Sequence, residues 1–357
     1  MKTGIFKTSL KEDEKRIPIH PSHIERLSGE IIKELLFEEG YGTDYGYSDN
    51  QLEQLGCKFA SREDLFKECN ILILPKPLAE DLKQMQEGST LCGWTHAVQQ
   101  RDITDIAIEK KLTLIAWEEM NHISKNQKIH AFYRNNELAG YAGVIHYLQL
   151  AGLDGHYGDR KKVVIFGFGS VSKGAIYALQ GRGFNNITVY TQRPTHLVAD
   201  KNPDVWYKNF NDDDIWEDMY SANIIFNGVL QDVNNPLMFI KDLNQLDQLR
   251  KNCAIIDISC DKGMGFFFAE PTTFKNPIIK MRRGIQYYSV DHTPTYLWNA
   301  ASREISAALV PHLETIINPS KWEDNPVVNC AIDIACGTII NQNINKFQKR
   351  NISRSGT

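Results

Sequence analysis

Residues 162–175 constrain the fold of this chain more than any other stretch. They read Lys-Val-Val-Ile-Phe-Gly-Phe-Gly-Ser-Val-Ser-Lys-Gly-Ala. The apolar run at 163–166 is typical of a strand buried on both faces, and residues 175–180 favour a helix. A strand, a glycine turn and a helix in this order are the context that a dinucleotide-binding fingerprint requires. An ordinary strand–turn–helix unit without a ligand shows the same pattern, so the motif needs support from elsewhere in the chain.

The glycine turn predicts how a nucleotide would be held. Gly167 allows a tight turn, and Gly169 lets backbone N–H groups approach a pyrophosphate. Ser170 and Val171 open the helix, whose N-terminus carries partial positive charge, so we expect all four residues to contact the cofactor. Ser172 replaces the third glycine of the usual pattern, and it is small enough to keep the helix close to the strand.

The next predicted strand, at 187–190, indicates which nucleotide is used. It ends in Thr191-Gln192-Arg193, without the acidic residue that usually binds the ribose 2′-hydroxyl of NAD. The Arg193 side chain and the Thr191 hydroxyl could instead hold a 2′-phosphate. We therefore predict NADP(H), with NAD(H) as second choice; the alternative interpretation of Arg193 is a solvated loop charge.

Composition excludes several classes of protein. The length of 357 residues suits two domains, and a net charge of −4 provides no field that would attract nucleic acid. The N-terminus lacks the apolar core of a signal peptide, and no apolar stretch approaches the roughly 20 residues of a membrane span. Seven cysteines without Cys-x-x-Cys spacing favour reduced thiols over a disulfide framework or a zinc site. We expect a cytoplasmic protein that binds no metal and contacts no membrane.

Alternating strand and helix patterns continue on both sides of the glycine turn. They predict two Rossmann-like α/β domains whose parallel sheets face a cleft and are linked by long helices. We assign residues 1–136 plus 293–357 to a substrate or catalytic domain and 137–292 to an NAD(P)-binding Rossmann domain. The less regular segments give these predictions: a strand at 31–38, a loop at 124–136, an interdomain helix at 138–153, a last strand at 287–291, a helix at 295–317 that returns to the first domain, and a frayed tail from 353.

Polar residues follow several predicted strands, where open parallel sheets bind their ligands. Lys76, His96 and Glu118 stand at strand ends of the first domain, and Arg16 lies in the loop after its first strand. Asn227 ends a strand of the second domain. A base, a cation and an acid on neighbouring strands could form an active site. Individually, each of the three has a structural alternative: a solvated lysine, a core histidine and a helix-capping glutamate.

The chain resembles the alanine dehydrogenase/saccharopine dehydrogenase superfamily along almost its whole length. Within it, the chain is most similar to the N5-(carboxyethyl)ornithine synthases, whereas residues 257–261 and 291–294 lean toward saccharopine dehydrogenases. The matching runs are Glu14-Lys-Arg-Ile-Pro, Gly93-Trp-Thr-His, Ala139-Gly-Tyr-Ala-Gly-Val, Gly167-Phe-Gly-Ser-Val-Ser-Lys-Gly-Ala, Ile224-Ile-Phe-Asn-Gly and Thr293-Pro-Thr-Tyr-Leu-Trp-Asn-Ala-Ala-Ser.

The resemblance implies an imine-reducing oxidoreductase of amino-acid metabolism. A 2-oxo acid such as pyruvate condenses with the amino group of ornithine or lysine, and NADPH delivers hydride to the imine. The resemblance assigns the site residues as follows: Lys76 and His96 to catalysis, Arg16 to the oxo-acid carboxylate, Glu118 and Asp291 to the substrate amine, and Asp261, with Asn227, to the cofactor.

Three alternatives remain open at this stage. One is a saccharopine dehydrogenase, which joins lysine and 2-oxoglutarate, and another is an alanine dehydrogenase, which uses free ammonia. The third is a nucleotide-binding module without turnover. A protein that only binds a nucleotide needs no proton shuttle, so one feature argues against this alternative: the combination of Arg16, Lys76, His96 and Asp261. The partners that we expect are small molecules, and a homo-oligomer is compatible with the sequence.

Overall fold

The chain forms two compact units. The computed structural model describes residues 2–124, 127–198, 201–231 and 235–350. The first unit combines Met1–Tyr133 with Trp298–Thr357, and the second is the continuous segment Arg134–Leu297. The first unit is thus built from both ends of the chain.

Helices and strands alternate through both units. The first part of the first unit contains β1 (Thr3–Ile5), α1 (Pro21–Ile24), α2 (Gly29–Glu34), β2 (Leu35–Glu38), α3 (Asp49–Glu53), β3 (Lys58–Ala60), α4 (Arg62–Glu68), β4 (Ile71–Ile73), α5 (Ala79–Gln84), β5 (Thr90–Gly93), α6 (Arg101–Glu109), β6 (Thr113–Ala116), β7 (Asn121–Ser124) and β8 (Gln127–His130). The next helix, α7 (Tyr133–Ala151), starts at the boundary and leads into β9 (Lys162–Phe166), α8 (Ser170–Gly181), β10 (Asn186–Thr191), β11 (Trp206–Asn209), α9 (Ile215–Ser221), β12 (Ile224–Asn227), α10 (Leu243–Gln248), β13 (Ala254–Asp257), β14 (Ile278–Lys280) and β15 (Gln286–Tyr288). The chain then returns to the first unit with α11 (Trp298–Ile316), α12 (Pro326–Asn329), β16 (Ile332–Ala335), β17 (Thr338–Ile339) and α13 (Gln342–Phe347).

An eight-stranded sheet organises the first unit, in the order β17-β16-β6-β5-β4-β1-β2-β3. Strands β1 to β6 pair in parallel, while β16 and β17 extend the edge in antiparallel fashion. Apolar side chains are buried on both faces of the central strands, as in β4, where all three residues are buried. Parallel pairing brings the carboxyl ends of β1, β4, β5 and β6 side by side.

A seven-stranded sheet organises the second unit, in the order β11-β10-β9-β12-β13-β15-β14. All of its pairings are parallel except that of the edge strand β14 with β15. The glycine turn connects β9 directly to α8, as the sequence predicts. The prediction of two Rossmann-like α/β domains with largely parallel sheets is confirmed.

Several predicted elements differ from the structure, each for a local reason. Residues 31–38 were expected as one strand, but α2 occupies the first part because the Ser28 hydroxyl caps its N-terminus by accepting from Ile31 N at 3.3 Å. The expected loop at 124–136 contains β8, which forms a hairpin with β7, and the start of α7.

The remaining differences lie near the end of the chain. The expected last strand at 287–291 runs only over Gln286–Tyr288, and its antiparallel partner β14 was missed. The expected helix at 295–317 begins as a 3-10 turn at Thr293–Leu297 before α11. Residues 319–345 contribute α12 and two strands of the first sheet. The tail predicted from 353 lies outside the described residues.

The expectations about thiols and membrane spans can be compared with the structure. All seven cysteines are free thiols, four of them buried. Among the helices of the described ranges, none combines the length and apolar character that crossing a bilayer requires. The same ranges contain no cluster of three or more His, Cys, Asp or Glu side chains that could hold a metal ion.

Two glycines let α7 and α8 touch backbone to backbone in the second unit. A Cβ atom added to Gly140 would lie 1.8 Å from the carbonyl oxygen of Val171, and one added to Gly174 would lie 1.8 Å from that of Glu137. Neither position tolerates a methyl group without separating the helices, because the obstructing atoms belong to backbone. This contact fixes the first turn of α8, which follows the glycine turn.

We predict that Gly174→Ala lowers the melting temperature by several degrees, since overpacking costs about 1–3 kcal/mol. The control is Gly181→Ala, at the other end of α8, where an added Cβ meets nothing within 4 Å. Thermal unfolding of both variants checks the prediction. Equal melting temperatures for Gly174→Ala and the unmodified protein would show that the two helices can separate at no cost.

Candidate active site

Four of the predicted site residues follow four adjacent strands of the first unit. Arg16 lies in the loop after β1, and the others follow β4, β5 and β6 in the order Lys76, His96, Glu118. Because these strands are parallel neighbours, residues far apart in sequence reach the same sheet edge. Lys76, His96 and Glu118 therefore follow strand ends, and Arg16 lies in the loop after β1, as the sequence predicts.

Lys76 and His96 are in direct contact. The Lys76 Nζ and the His96 Nε2 share a hydrogen bond of 2.8 Å. Lys76 stands between Pro75 and Pro77, which restrict its backbone, and its carbonyl oxygen accepts a hydrogen bond from the Ser9 hydroxyl. Two nitrogen bases at this distance can pass a proton between them, which a proton shuttle requires.

The His96 backbone adopts an unusual conformation. Its φ angle is +48°, in the left-handed region that non-glycine residues enter at a cost of about 1–3 kcal/mol. The Glu118 carboxyl offsets this cost by accepting the His96 N–H at 2.5 Å and the Thr95 hydroxyl at 3.4 Å. Backbone strain of this kind is concentrated at functional sites, which supports a role for His96 in chemistry.

The Glu118 carboxyl is adapted to remain neutral. Burial, together with the nearby charge of Asp333, raises its pKa to about 8. Its Oε2 atom is buried and has no hydrogen-bond partner among the described residues. A buried polar atom without a partner is the feature expected where a ligand supplies the missing group. Asp333, on β16, was not identified from the sequence.

Arg16 is held by a neighbouring acid. Glu14 accepts hydrogen bonds from the Arg16 Nε at 2.8 Å and from its Nη2 at 2.5 Å, and both side chains are buried. The guanidinium also lies 4.9 Å from the centre of the Trp94 ring, just after β5. Its plane is thereby fixed, and a carboxylate that binds here either shares the guanidinium with Glu14 or displaces that residue. The role of Glu14 was missed, although it stands in the run Glu14-Lys-Arg16.

In the second unit, the glycine turn leaves the start of α8 accessible at Gly169. Gly167 has a φ of +89°, which glycine adopts without strain. Gly169 caps α8 in an extended conformation, and a Cβ added there would meet nothing within 4 Å. The backbone at the start of this 12-residue helix is therefore approachable, as a pyrophosphate requires. Ser172 is fully buried under the turn, where the third glycine would stand.

The end of β10 presents an arginine. The Arg193 Nη2 donates to the carbonyl oxygen of Phe168 in the glycine turn at 2.6 Å. The Thr191 hydroxyl accepts the Arg193 N–H at 3.2 Å, and Thr191 is only 3% exposed. Thr191 thus shapes the turn that carries Arg193, while Arg193 itself is exposed at the surface.

The Asn227 side chain belongs to a buried hydrogen-bond network and does not face an open surface. Its Nδ2 donates to the Asp257 Oδ1 at 2.9 Å, and its Oδ1 accepts the Val229 N–H at 3.2 Å. The Tyr287 hydroxyl donates to the other Asp257 oxygen at 2.8 Å. Because the Asn227 side chain is fully buried, it connects the strand ends, and its predicted cofactor contact would have to come from its backbone.

Two further predicted residues stand at the same sheet edge. Asp261 lies in the turn after β13, where partial burial raises its pKa. Asp291 follows β15, and its carboxylate Oδ1 contacts the Nδ1 of the buried His292. A carboxylate in this position orients the imidazole ring.

We predict that Asp257 makes the stability depend on pH. Burial raises its pKa to about 7 from an ordinary value of 3.8, so between these pH values the native state binds more protons than the unfolded state. The free energy of unfolding therefore falls as pH rises through this window. Asp257→Asn should make the fall shallower, whereas exposed Asp159→Asn should not. Urea unfolding from pH 4.5 to 7.5 checks this, and identical slopes for all three proteins would contradict it.

Comparison with known proteins identifies the family. Residues 4–139 match the model of the alanine dehydrogenase/PNT N-terminal domain, and residues 148–342 match that of the C-terminal domain. Among curated relatives, the N(5)-(carboxyethyl)ornithine synthase of Clostridium botulinum is 29% identical, with 84% of this chain and 90% of the relative covered. The synthase of Lactococcus lactis subsp. lactis is 27% identical, with 87% and 93% covered.

More distant relatives agree on the fold. The alanine dehydrogenase of Halomonas elongata is 23% identical, with 90% of this chain and 89% of the relative covered. A solved L-alanine dehydrogenase superimposes with a TM-score of 0.80 at 19% identity and covers 98% of this chain and 99% of its own. The resemblance drawn from the sequence is confirmed: the chain belongs to the alanine dehydrogenase/PNT family and is an NAD(P)-dependent oxidoreductase.

Proposed function

We propose that this protein condenses a pyruvate-like 2-oxo acid with the side-chain amino group of ornithine or lysine and reduces the resulting imine with NADPH. The activity would be that of an N5-(carboxyethyl)ornithine synthase. The observation that carries the proposal is the 2.8 Å hydrogen bond between Lys76 and His96 at a strand edge that also carries Arg16 and Glu118. The names of the relatives that are 26–29% identical support the same reaction.

The chemistry requires proton transfers that the first unit can supply. Attack of the amine on the oxo acid gives a carbinolamine, which must lose water before reduction. Lys76 and His96 would move the protons of both steps, since general acid–base catalysis needs groups within hydrogen-bond reach. Arg16 would bind the oxo-acid carboxylate through charge-assisted hydrogen bonds.

The substrate amine needs a hydrogen-bonding partner that does not form a tight ion pair with its ammonium form. Glu118 is neutral at pH 7 because its pKa is about 8, and its Oε2 lacks a partner among the described residues. The neutral carboxyl would donate its O–H hydrogen bond to the free amine, or accept a hydrogen bond from it, without trapping the ammonium form as an ion pair. Asp291 is the second proposed amine ligand.

The nicotinamide cofactor supplies the hydride. Gly167, Gly169, Ser170 and Val171 would hold its pyrophosphate at the start of α8, with Asp261 near the nicotinamide. We propose NADP(H) over NAD(H) because the end of β10 carries Arg193 and no acid. A cytoplasmic location and a homo-oligomer stay predictions.

The substrates can be identified by following NADPH oxidation with pairs of oxo acids and amines. We expect turnover with pyruvate plus ornithine or lysine. Turnover confined to lysine plus 2-oxoglutarate would instead identify a saccharopine dehydrogenase, and turnover with ammonium alone an alanine dehydrogenase. Tight NADPH binding without any turnover would favour a nucleotide-binding module and overturn the proposal.

We predict that Lys76→Met and His96→Gln each reduce kcat by about 10²-fold or more, the scale of lost general acid–base catalysis. Steady-state kinetics with the best substrate pair check this. Exposed Lys83→Met and His156→Gln make the same chemical changes elsewhere and should leave kcat unchanged. Near-normal turnover in both site variants would eliminate the proposed mechanism.

We predict that Arg16→Ala mainly raises the KM for the oxo acid, because the variant loses the cation for its carboxylate. Removing Arg16 also takes its cation away from the buried Glu14, which lowers stability. Arg16→Lys keeps the charge but not the two-pronged geometry, and should give an intermediate KM. An unchanged KM in folded Arg16→Ala would assign the carboxylate to another residue.

A further inference from the structure

We propose that Lys173 and Arg193 together bind a phosphate monoester beside the glycine turn, and that this is the 2′-phosphate of the cofactor. The inference deepens the proposed use of NADP(H) by adding a specificity-determining residue, Lys173, in the first turn of α8. All of the groups involved lie in the second unit.

The Phe168 ring brings the two cations together. Phe168 is the middle residue of the turn Gly167-Phe168-Gly169. The Lys173 Nζ lies 5.5 Å from the centre of its ring, and the Arg193 guanidinium carbon lies 5.7 Å from the same point. Arg193 is anchored further by its 2.6 Å hydrogen bond to the Phe168 carbonyl oxygen. Two side chains from different elements thus converge on the turn that is expected to meet the nucleotide.

A pocket opens beside Phe168 and Lys173. It has a volume of about 350 Å³ and is lined by Phe168, Lys173, Tyr177 and Tyr207, together with residues 201–204 that precede β11. The Tyr207 ring packs edge-on against Phe168 at 5.0 Å, which gives the pocket an aromatic wall. The space is large enough for a phosphate group and part of a ribose.

Two basic side chains contribute to the lining of the pocket. Lys173 and Lys201 line it, and so do Glu137 and Asp204. The charge of Glu137 is balanced, because the Arg134 Nη1 donates to its carboxylate at 2.6 Å.

The position of the pocket selects the kind of anion. A ribose held at the start of α8 directs its 2′ position toward the end of the second strand of the fold, which here is β10. That end carries Arg193 where an acidic residue would repel a phosphate. A monoester with two negative charges fits a lysine and an arginine that approach from two sides.

Ligand affinity tests the proposal without requiring turnover. The probes are adenosine 2′,5′-bisphosphate, adenosine 5′-monophosphate and inorganic phosphate, each titrated against the full-length protein by calorimetry. We expect the unmodified protein to prefer the 2′-phosphorylated probe over the 5′-monophosphate. Lys173→Gln should weaken the 2′-phosphorylated probe by about 10-fold or more, as expected for the loss of a charge-assisted hydrogen bond, and change the 5′-monophosphate by less than 2-fold.

The matched control is Lys280→Gln, on β14 at the opposite edge of the same sheet. It makes the same change of charge and should affect none of the probes. Equal weakening of both nucleotides by Lys173→Gln, or no weakening of either, overturns the role of Lys173. Inorganic phosphate binding as tightly as the bisphosphate identifies a free-phosphate site and also overturns the proposal.

The outcomes separate this inference from the proposed function. If the unmodified protein does not distinguish the two nucleotides, both the NADP(H) assignment and the Lys173 site fail. If it does distinguish them and Lys173→Gln keeps the full preference, only the Lys173 site fails. The substrate screen is independent of both results.

Discussion

Parallel hydrogen bonding between β1, β4, β5 and β6 is the constraint on which the candidate site depends. It places the carboxyl ends of these strands next to one another, so that residues separated by as many as a hundred positions in sequence share one edge. The strands themselves are too short and too apolar to offer any chemistry, since their side chains fill the core on both faces. The candidate site residues therefore stand in the segments that follow these strands, where the backbone leaves the sheet.

Burial then determines what those residues can do. Glu118 and Asp257 are acids enclosed by protein, and in each case loss of water raises the pKa toward or above neutrality. A neutral carboxyl can accept hydrogen bonds from backbone N–H, amide and hydroxyl groups without the cost of burying an unpaired charge. Arg16 is buried by a different route: Glu14 balances its charge and Trp94 supports its plane. Both units thus use polar groups inside the protein to hold the edge of a sheet in one arrangement.

The sequence predicted the strands and the strand-end residues well because both follow from local pattern. Four-residue apolar runs bounded by polar residues are strong signals, and the strand–turn–helix at the glycines is short and continuous. Predictions failed where a local signal was ambiguous. The segment containing α2 carries the pair Ile31-Ile32 and runs directly into β2, and the cap by Ser28 marks it as helix. Strand β16 is stabilised by pairing with β6, which is distant in sequence, so no local pattern reveals it. Strands β14 and β17 are only three and two residues long and pair with their near neighbours β15 and β16.

The sequence by itself determined the fold class, the family and the residue types at the carboxyl ends of the strands, since these depend on apolar periodicity and on short motifs. Only the tertiary structure decided which polar groups touch. In the first unit, Lys76 contacts His96, and Glu14 forms an ion pair with Arg16. In the second unit, Asn227 belongs to a buried hydrogen-bond network, and Lys173 and Arg193 both lie near the Phe168 ring. The reason is physical. A motif fixes which side chain is present, whereas its partner and its protonation are set by the neighbours and the water that folding brings to it or removes from it.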